Sequence, residues 1–201
     1  MGLENEGGIE KFITTNLEDL FARLDDAKRS KGTLWFGISG SWRKTSADIE
    51  SEVRAAVRKV LDRGDGIVSG GALNVDSFAV DEAFLASKDA KRIKVFLPVT
   101  FDLYAAHYRK RAEEGVITSE QAESLISQLE KIRLANPEAI IENPHNTVVD
   151  PKTYFERNTE VVKASDALVA FQVNKSEGVG DTVEKALQAG KPVCIQEYKI
   201  E

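Results

Sequence analysis

Apolar residues fall into short, nearly continuous runs, separated by longer stretches in which they recur every three or four positions. The runs are "LWFGI" (34–38), "GIV" (66–68), "IKVFLPV" (93–99), "AII" (139–141), "ALVAFQV" (167–173) and "PVCIQ" (192–196). Several are apolar throughout rather than alternating, the pattern of strands covered on both faces. Between them, Ile49, Val53, Val57, Val60 and Leu61 share one helical face behind Thr45 and Ser46, residues suited to an N-cap. Phe78, Ala79, Ala83 and Phe84 repeat the pattern after Asp76, and Val161 with Val162 and Ala186 with Leu187 mark two later helices. The alternation predicts an α/β fold: one doubly wound, mainly parallel sheet of five to six strands.

Two segments stand outside that rhythm. Ile9, Phe12, Ile13, Leu17, Leu20, Phe21 and Leu24 keep helical spacing, with "TTN" as a break and Asn16 as the cap of the second part. They predict an N-terminal helical extension over 1–32, ahead of a main domain over 33–201. A second helical stretch, about 102–136, interrupts the strands, and its second helix opens at Thr118 with Gln121 three residues on, as in a capping box. It predicts a helical hairpin inserted at the edge of the sheet.

Composition narrows the choices. A chain of 201 residues that is 42% hydrophobic and 30% charged suits one globular unit with a sizeable core. The formal net charge of −6 argues against a surface that is basic overall, so duplex DNA is a poor first candidate. Cys194, the one cysteine, sits in an apolar run and reads as a small buried hydrophobe. The first residues, "MGLENEGGIEK", lack a basic then apolar leader pattern, and no apolar run reaches the roughly 20 residues a membrane span needs. Gly2 is followed by Glu6, where an acylation motif wants Ser or Thr. The expected location is cytoplasmic, with no membrane contact.

In open parallel sheets ligands bind beyond the carboxyl ends of the strands, so the residues that follow strands matter most. After the first comes "SGSWRKTS", where Gly40 and Ser41 offer amides and Arg43 a positive charge. After the second comes "SGGALNVD", with Gly70, Gly71 and Asp76, and after the fifth "NKSEGVGDT", with Gly178, Gly180 and Thr182. Glycine lets a ligand approach the backbone, and helix N-termini attract anions, so three such loops predict a site for a phosphorylated ligand. Neither a P-loop nor G-x-G-x-x-G is present, which disfavours ATPase and dinucleotide oxidoreductase readings.

"VSGGALNVDSFAVDEAF" resembles the SGxAxGID segment of the DNA-processing recombination mediators (the DNA-processing protein A or Smf-like proteins), and "FERNTEVVKASDALVAF" resembles their Phe-x-x-Arg-Asn stretch. "RN" at 157–158 and "SEGVGDTVE" at 176–184 are similar to the signature of the Lonely Guy phosphoribohydrolases. The resemblance spans roughly 33–197 and identifies the SLOG superfamily that joins both groups, implying a Rossmann-like fold. It departs from both. Val80 stands where the mediators have histidine, Asn74 where they have glycine, and the hydrolase signature lacks its proline and its paired glycine.

The resemblance implies a nucleotide or nucleoside phosphate as the main ligand, with cleavage of an N-glycosidic bond if the chain is an enzyme. Glu184 or Asp181 would orient the ribose or activate water, and Arg157 with Asn158 would meet phosphate or the leaving base. The bland alternatives are a helix-dipole acid for either carboxylate, an Arg157–Glu160 ion pair, and an N-cap role for Asp76. A non-catalytic nucleotide sensor and a single-stranded DNA-binding accessory protein are the other readings, the DNA reading not favoured. His107 with "YRKR" reads as a basic lip or a solvated helix face, and Trp42 as a stacking or packing residue. No metal and no cofactor are expected, and the superfamily implies a homodimer.

Overall fold

Every apolar run becomes a strand, and all the strands lie parallel. The computed structural model describes residues 12–201. The strands are β1 (Ile13–Thr14), β2 (Trp35–Gly40), β3 (Gly66–Ser69), β4 (Ile93–Phe96), β5 (Ile140–Ile141), β6 (Ala167–Val173) and β7 (Val193–Tyr198). The helices are α1 (Leu17–Arg23), α2 (Asp25–Lys31), α3 (Ala47–Asp62), α4 (Val75–Ala86), α5 (Phe101–Glu113), α6 (Ser119–Ala135), α7 (Pro151–Ala164) and α8 (Glu177–Gln188). The sheet runs β1-β7-β6-β2-β3-β4-β5, a Rossmann-like arrangement. The order grows one way from β2 and the other way from β6, so the switch in direction falls between these two neighbours.

Side chains alternate across the sheet as a strand requires. On β6, Ala167, Val169, Phe171 and Val173 join the larger core, while Leu168 and Ala170 face a second cluster with Val162 of α7 and Val179 and Ala186 of α8. Cys194 belongs to the larger core, and burial raises its thiol pKa. Among the described residues, no helix is long and apolar enough to cross a membrane.

The N-terminal segment departs from its helical spacing. Ile13 and Thr14 are extended and pair with Val193 and Cys194, adding a seventh strand to the sheet. Two residues beside an open strand edge gain backbone hydrogen bonds that an uncapped helical turn would lack. Ile9 and Gly2 lie outside the described residues. Asn16 does cap α1, accepting from the Glu18 N–H at 2.8 Å, and Leu20, Phe21 and Leu24 are buried in the main core. In the inserted hairpin both halves of the Thr118–Gln121 capping box form, at 2.9 and 3.1 Å. Gln128 ties α6 to α4 by donating to the Ser77 carbonyl at 2.9 Å.

Charged side chains finish elements that hydrophobic burial leaves open. Asp65, fully buried, accepts from the Leu34 N–H at 2.8 Å, from Lys28 at 2.5 Å and from Arg63 at 3.2 Å, joining α2 and the end of α3 to the start of β2. Lys191 donates to the carbonyls of Val162, Lys163 and Ser165, closing the carboxyl end of α7.

Gly71 serves this scaffold rather than a ligand. Its φ is +65°, and a Cβ there would meet Val95 at 2.7 Å and Leu97 at 3.2 Å. The sequence reading aimed it at an anion; the structure turns it toward the core.

Two substitutions test these constraints. Asp65→Ala leaves Lys28 and Arg63 without their buried counter-charge and is expected to cost about 3 kcal/mol or more, read as a shift of the urea midpoint. Gly71→Ala combines left-handed strain of roughly 1–2 kcal/mol with overpacking of roughly 1–3 kcal/mol. Its urea midpoint should fall clearly; an unchanged midpoint would mean that the loop turns the other way.

Candidate functional site

At the switch between β2 and β6, the carboxyl ends of the strands open onto a cavity of about 380 Å³. Its floor holds Ser39 and Gly40 at the end of β2 and Gly70 and Asp76 beyond β3. Asp150, Tyr154, Arg157 and Asn158 of the α7 segment form one wall, and Ser176, Gly178 and Thr182 at the start of α8 form another. His107, Tyr108 and Arg111 of α5 close a third side, and Trp42 and Arg43 stand opposite. The three glycine loops therefore converge on one edge, each through one glycine: Gly40, Gly70 and Gly178.

The loop after β3 satisfies its own amides. Asp76, with a side chain 7% exposed, accepts from the Gly70 N–H at 3.1 Å and the Ala72 N–H at 3.3 Å. The Gly71 N–H goes to Ser69 Oγ at 3.2 Å. These amides already hold acceptors inside the protein, so they are not a free anion cradle. Asp76 is not the N-cap either. That position belongs to Asn74 at φ 62°, whose side-chain amide donates to the Trp42 carbonyl and ties the loops after β2 and β3 together. Burial raises the Asp76 pKa, against the opposing pull of Arg157 and the two amides.

Gly70 is bare for a different reason. The Arg157 guanidinium packs against it with Nη1 foremost, and a Cβ at Gly70 would fall 1.4 Å from Arg157 Nη1. The Arg157 side chain is 9% exposed and approaches Asp76 only to 3.7 Å, beyond hydrogen-bond range. Its Nε and Nη1 are buried and have no hydrogen-bond partner among the described residues. The Tyr154 ring flanks it, with the guanidinium carbon 5.5 Å from the ring centre. Glu160, the ion-pair partner considered from sequence, instead meets Lys163 at 2.7 Å. A buried cation with unmet donors, facing a cavity, suits an anionic ligand.

Aromatic groups complete the lining. Tyr108 and Tyr104 stack edge to face at 4.9 Å, and Tyr104 Oη hydrogen-bonds the Gly71 carbonyl at 3.1 Å. Burial pushes the phenols of Tyr104, Tyr108 and Tyr154 above their ordinary pKa. His107 moves the other way, its pKa lowered by burial and by Arg111. Arg43 lies over the Trp42 ring at 4.8 Å. Of the basic run, Arg111 reaches the cavity while donating to Glu114 at 3.0 Å, Arg109 pairs with Glu123 at 2.8 Å and Lys110 approaches Glu114 at 3.9 Å.

Several sequence candidates lie elsewhere. Ser41 is buried between β2 and β6, accepting from the Val173 N–H at 3.0 Å, so it extends the sheet. Glu184 is exposed on the outer side of α8 and accepts from Gln188 at 2.9 Å. Asp181 is engaged by Asn158 at 3.0 Å and Lys185 at 2.7 Å, outside the cavity lining, as is Gly180. Thr182 and Asn158 do line it, yet their polar atoms brace the first turn of α8: Thr182 Oγ1 donates to the Gly178 carbonyl at 2.9 Å. The two carboxylates expected to drive glycosidic cleavage are thus turned away, because the helical period puts them on other faces than Val179 and Thr182. Sequence reading missed Tyr108 and Tyr154. Tyr154 stands three residues before Arg157, on the same face of α7, and that spacing was a usable signal.

No curated protein matches the chain. Among solved structures, DNA processing protein A from Helicobacter pylori, described for its single-stranded DNA binding mode, is similar at a TM-score of 0.59 and 21% identity, over 81% of this chain and 64% of that one. The chain thus spans less than two thirds of that protein. DNA processing protein A from Streptococcus pneumoniae aligns at 0.44 and 14% identity over 81% of this chain and 58% of that one. The molybdenum cofactor carrier protein from Chlamydomonas reinhardtii aligns at 0.45 and 17% identity, over 84% and 90%. The expected order of partners, a nucleotide first and single-stranded DNA behind it, is corrected: the similar protein from Helicobacter pylori is described by its binding of single-stranded DNA, not of a nucleotide. The sequence and fold match the DNA-processing protein A branch of the SLOG superfamily, and a model of the DNA recombination-mediator protein A family matches residues 26–201, α2 through β7 included, so the chain belongs to that family.

Proposed function

We propose that the chain binds single-stranded DNA in the cavity at the β2–β6 switch and performs no bond cleavage there. The observation that carries this reading is the buried Arg157 guanidinium, with two donors lacking hydrogen-bond partners, in a cavity also lined by Trp42, Tyr108 and Tyr154. Single strands are held by cations that meet phosphates and by aromatic rings that stack on bases, and this lining supplies both. Arg157 takes a phosphate with the exposed Arg43 and the half-buried Arg111 nearby, and Trp42 offers a stacking face. Gly178 opens α8 toward the same space, where a Cβ would meet nothing within 4 Å, so the backbone at the helix start is accessible to a phosphate.

The acidic balance of the chain does not oppose this locally. Of the carboxylates in the lining, Asp76 is taken up by loop amides and Asp150 caps α7 by accepting from the Thr153 N–H at 2.8 Å. Arg111 also pairs with Glu114 at 3.0 Å and Arg157 faces Asp76 at 3.7 Å, which leaves the exposed Glu177 as the remaining acid of the lining. The net charge of −6 predicts modest affinity with a marked salt dependence.

Fluorescence anisotropy with a labelled oligothymidylate tests the reading. Binding should be measurable at low ionic strength and weaken with salt, with a log–log slope near −0.7 for each phosphate engaged. Arg157→Lys keeps the charge but loses the planar fork and should weaken binding about ten-fold or more. Gly70→Ala should do the same by displacing the guanidinium, without left-handed strain. Trp42→Leu should cost on the order of ten-fold and abolish any quenching of tryptophan emission on titration. No anisotropy change at low salt, or wild-type affinity in Arg157→Lys and Gly70→Ala together, would refute the assignment.

A further inference from the structure

A polymer, unlike a free nucleotide, must leave the cavity that holds part of it. One wall of the cavity is shared with a shallow concavity on the outer side of α7, and the shared residue is Phe155. Phe155 is 39% exposed, a large aromatic ring without full cover at the rim of the cavity. Behind it, Lys152, Glu156 and Thr159 stand at helical spacing on the same face of α7, with Lys185 reaching across from α8.

The backbone beneath the ring is tied to both helices. The Phe155 carbonyl accepts from Lys185 Nζ at 2.7 Å and from Thr159 Oγ1 at 3.1 Å. The Lys185 ammonium also sits 5.5 Å from the ring centre, which biases that side of the ring toward a cation and leaves the rest for a planar group. Lys152 is 82% exposed and only loosely engaged with Glu156 at 3.8 Å, while Glu156 also accepts from Asn146 at 3.0 Å. Lys185 also pairs with Asp181 at 2.7 Å, so the exposed Lys152 is the cation left to meet an anion beside the ring, an aromatic and a cation side by side as inside the cavity.

We infer that Phe155 marks a second nucleotide step: a strand seated in the cavity passes over this ring, stacks a base on it, and sets the following phosphate against Lys152. The inference rests on the single-strand reading of the cavity and adds the direction in which the strand leaves it, along α7 rather than past His107 and Arg111. A helical protein partner or a second copy of the chain would use the same exposed ring differently, burying it without regard to strand length.

Labelled oligothymidylates of about four and about twelve nucleotides, spanning the usual range of single-strand site sizes, separate these cases on the full chain. Phe155→Ala should weaken the longer strand on the order of ten-fold and the shorter one far less, and Phe155→Trp should restore the longer strand where Phe155→Leu does not. Lys152→Gln should lower the salt slope for the longer strand by about 0.7, one phosphate contact. Equal loss at both lengths, no loss at either, or equal rescue by Leu and Trp would overturn the second step while leaving the cavity reading intact. A change in self-association on sedimentation, without a length-dependent change in affinity, would assign Phe155 to contact between copies and overturn it as well. If the unaltered chain binds neither length, the cavity reading falls and this one with it.

Discussion

One buried carboxylate organises the edge of the sheet where the cavity lies. Asp76 takes the N–H groups of Gly70 and Ala72 and so holds the loop after β3 closed on itself. A carboxylate buried this deeply requires compensation, and Arg157 supplies the charge from 3.7 Å without making a hydrogen bond. The pair is electrostatically matched but leaves guanidinium donors unused. Demand for an acceptor is thereby transferred from the glycine loop to a side chain on α7. Other parts of the cavity follow from the same arrangement: Gly70 has no side chain because the guanidinium occupies that space, and Tyr154 flanks the guanidinium.

The topology determines why these groups meet at all. Residues 70, 76 and 157 come together because β3 and α7 both reach the carboxyl edge of a sheet whose order reverses between β2 and β6. At that reversal the chains leading away from β2 and β6 diverge, and the gap between them is open by construction. The inserted α5–α6 hairpin then covers one side with Tyr108, His107 and Arg111. An otherwise acidic molecule concentrates three arginines and a set of aromatic rings in one place, while its exposed acids are largely distributed among surface ion pairs.

The strand runs were legible because burial on both faces leaves a continuous apolar signature, and "ALVAFQV" coincides with β6 residue for residue. Helix starts with side-chain caps, at Asn16, Ser46 and Thr118, were equally readable, since capping needs a local residue and nothing else. β1 was not, because Ile13 and Thr14 are extended only through pairing with residues 180 positions away at β7. The start of α4 misled for a related reason: Asp76 has the chemistry of a cap, but its oxygen reaches back to Gly70 while Asn74 adopts the left-handed turn.

Sequence alone therefore determined the fold class and drew attention to the glycine loops, Arg157 and Asp76, because each leaves a local mark in composition or spacing. Only the tertiary structure decided what those marks do. A glycine reads the same whether it faces open space, a guanidinium or a core valine, and Gly178, Gly70 and Gly71 are those three cases in turn. A carboxylate on α8 reads as catalytic until the turn of the helix points Glu184 to solvent and Asp181 to Lys185. The physical reason is common to all of them: backbone amides and charges are satisfied by whichever partner is nearest in space, and nearness in space is set by the packing of elements far apart in the chain.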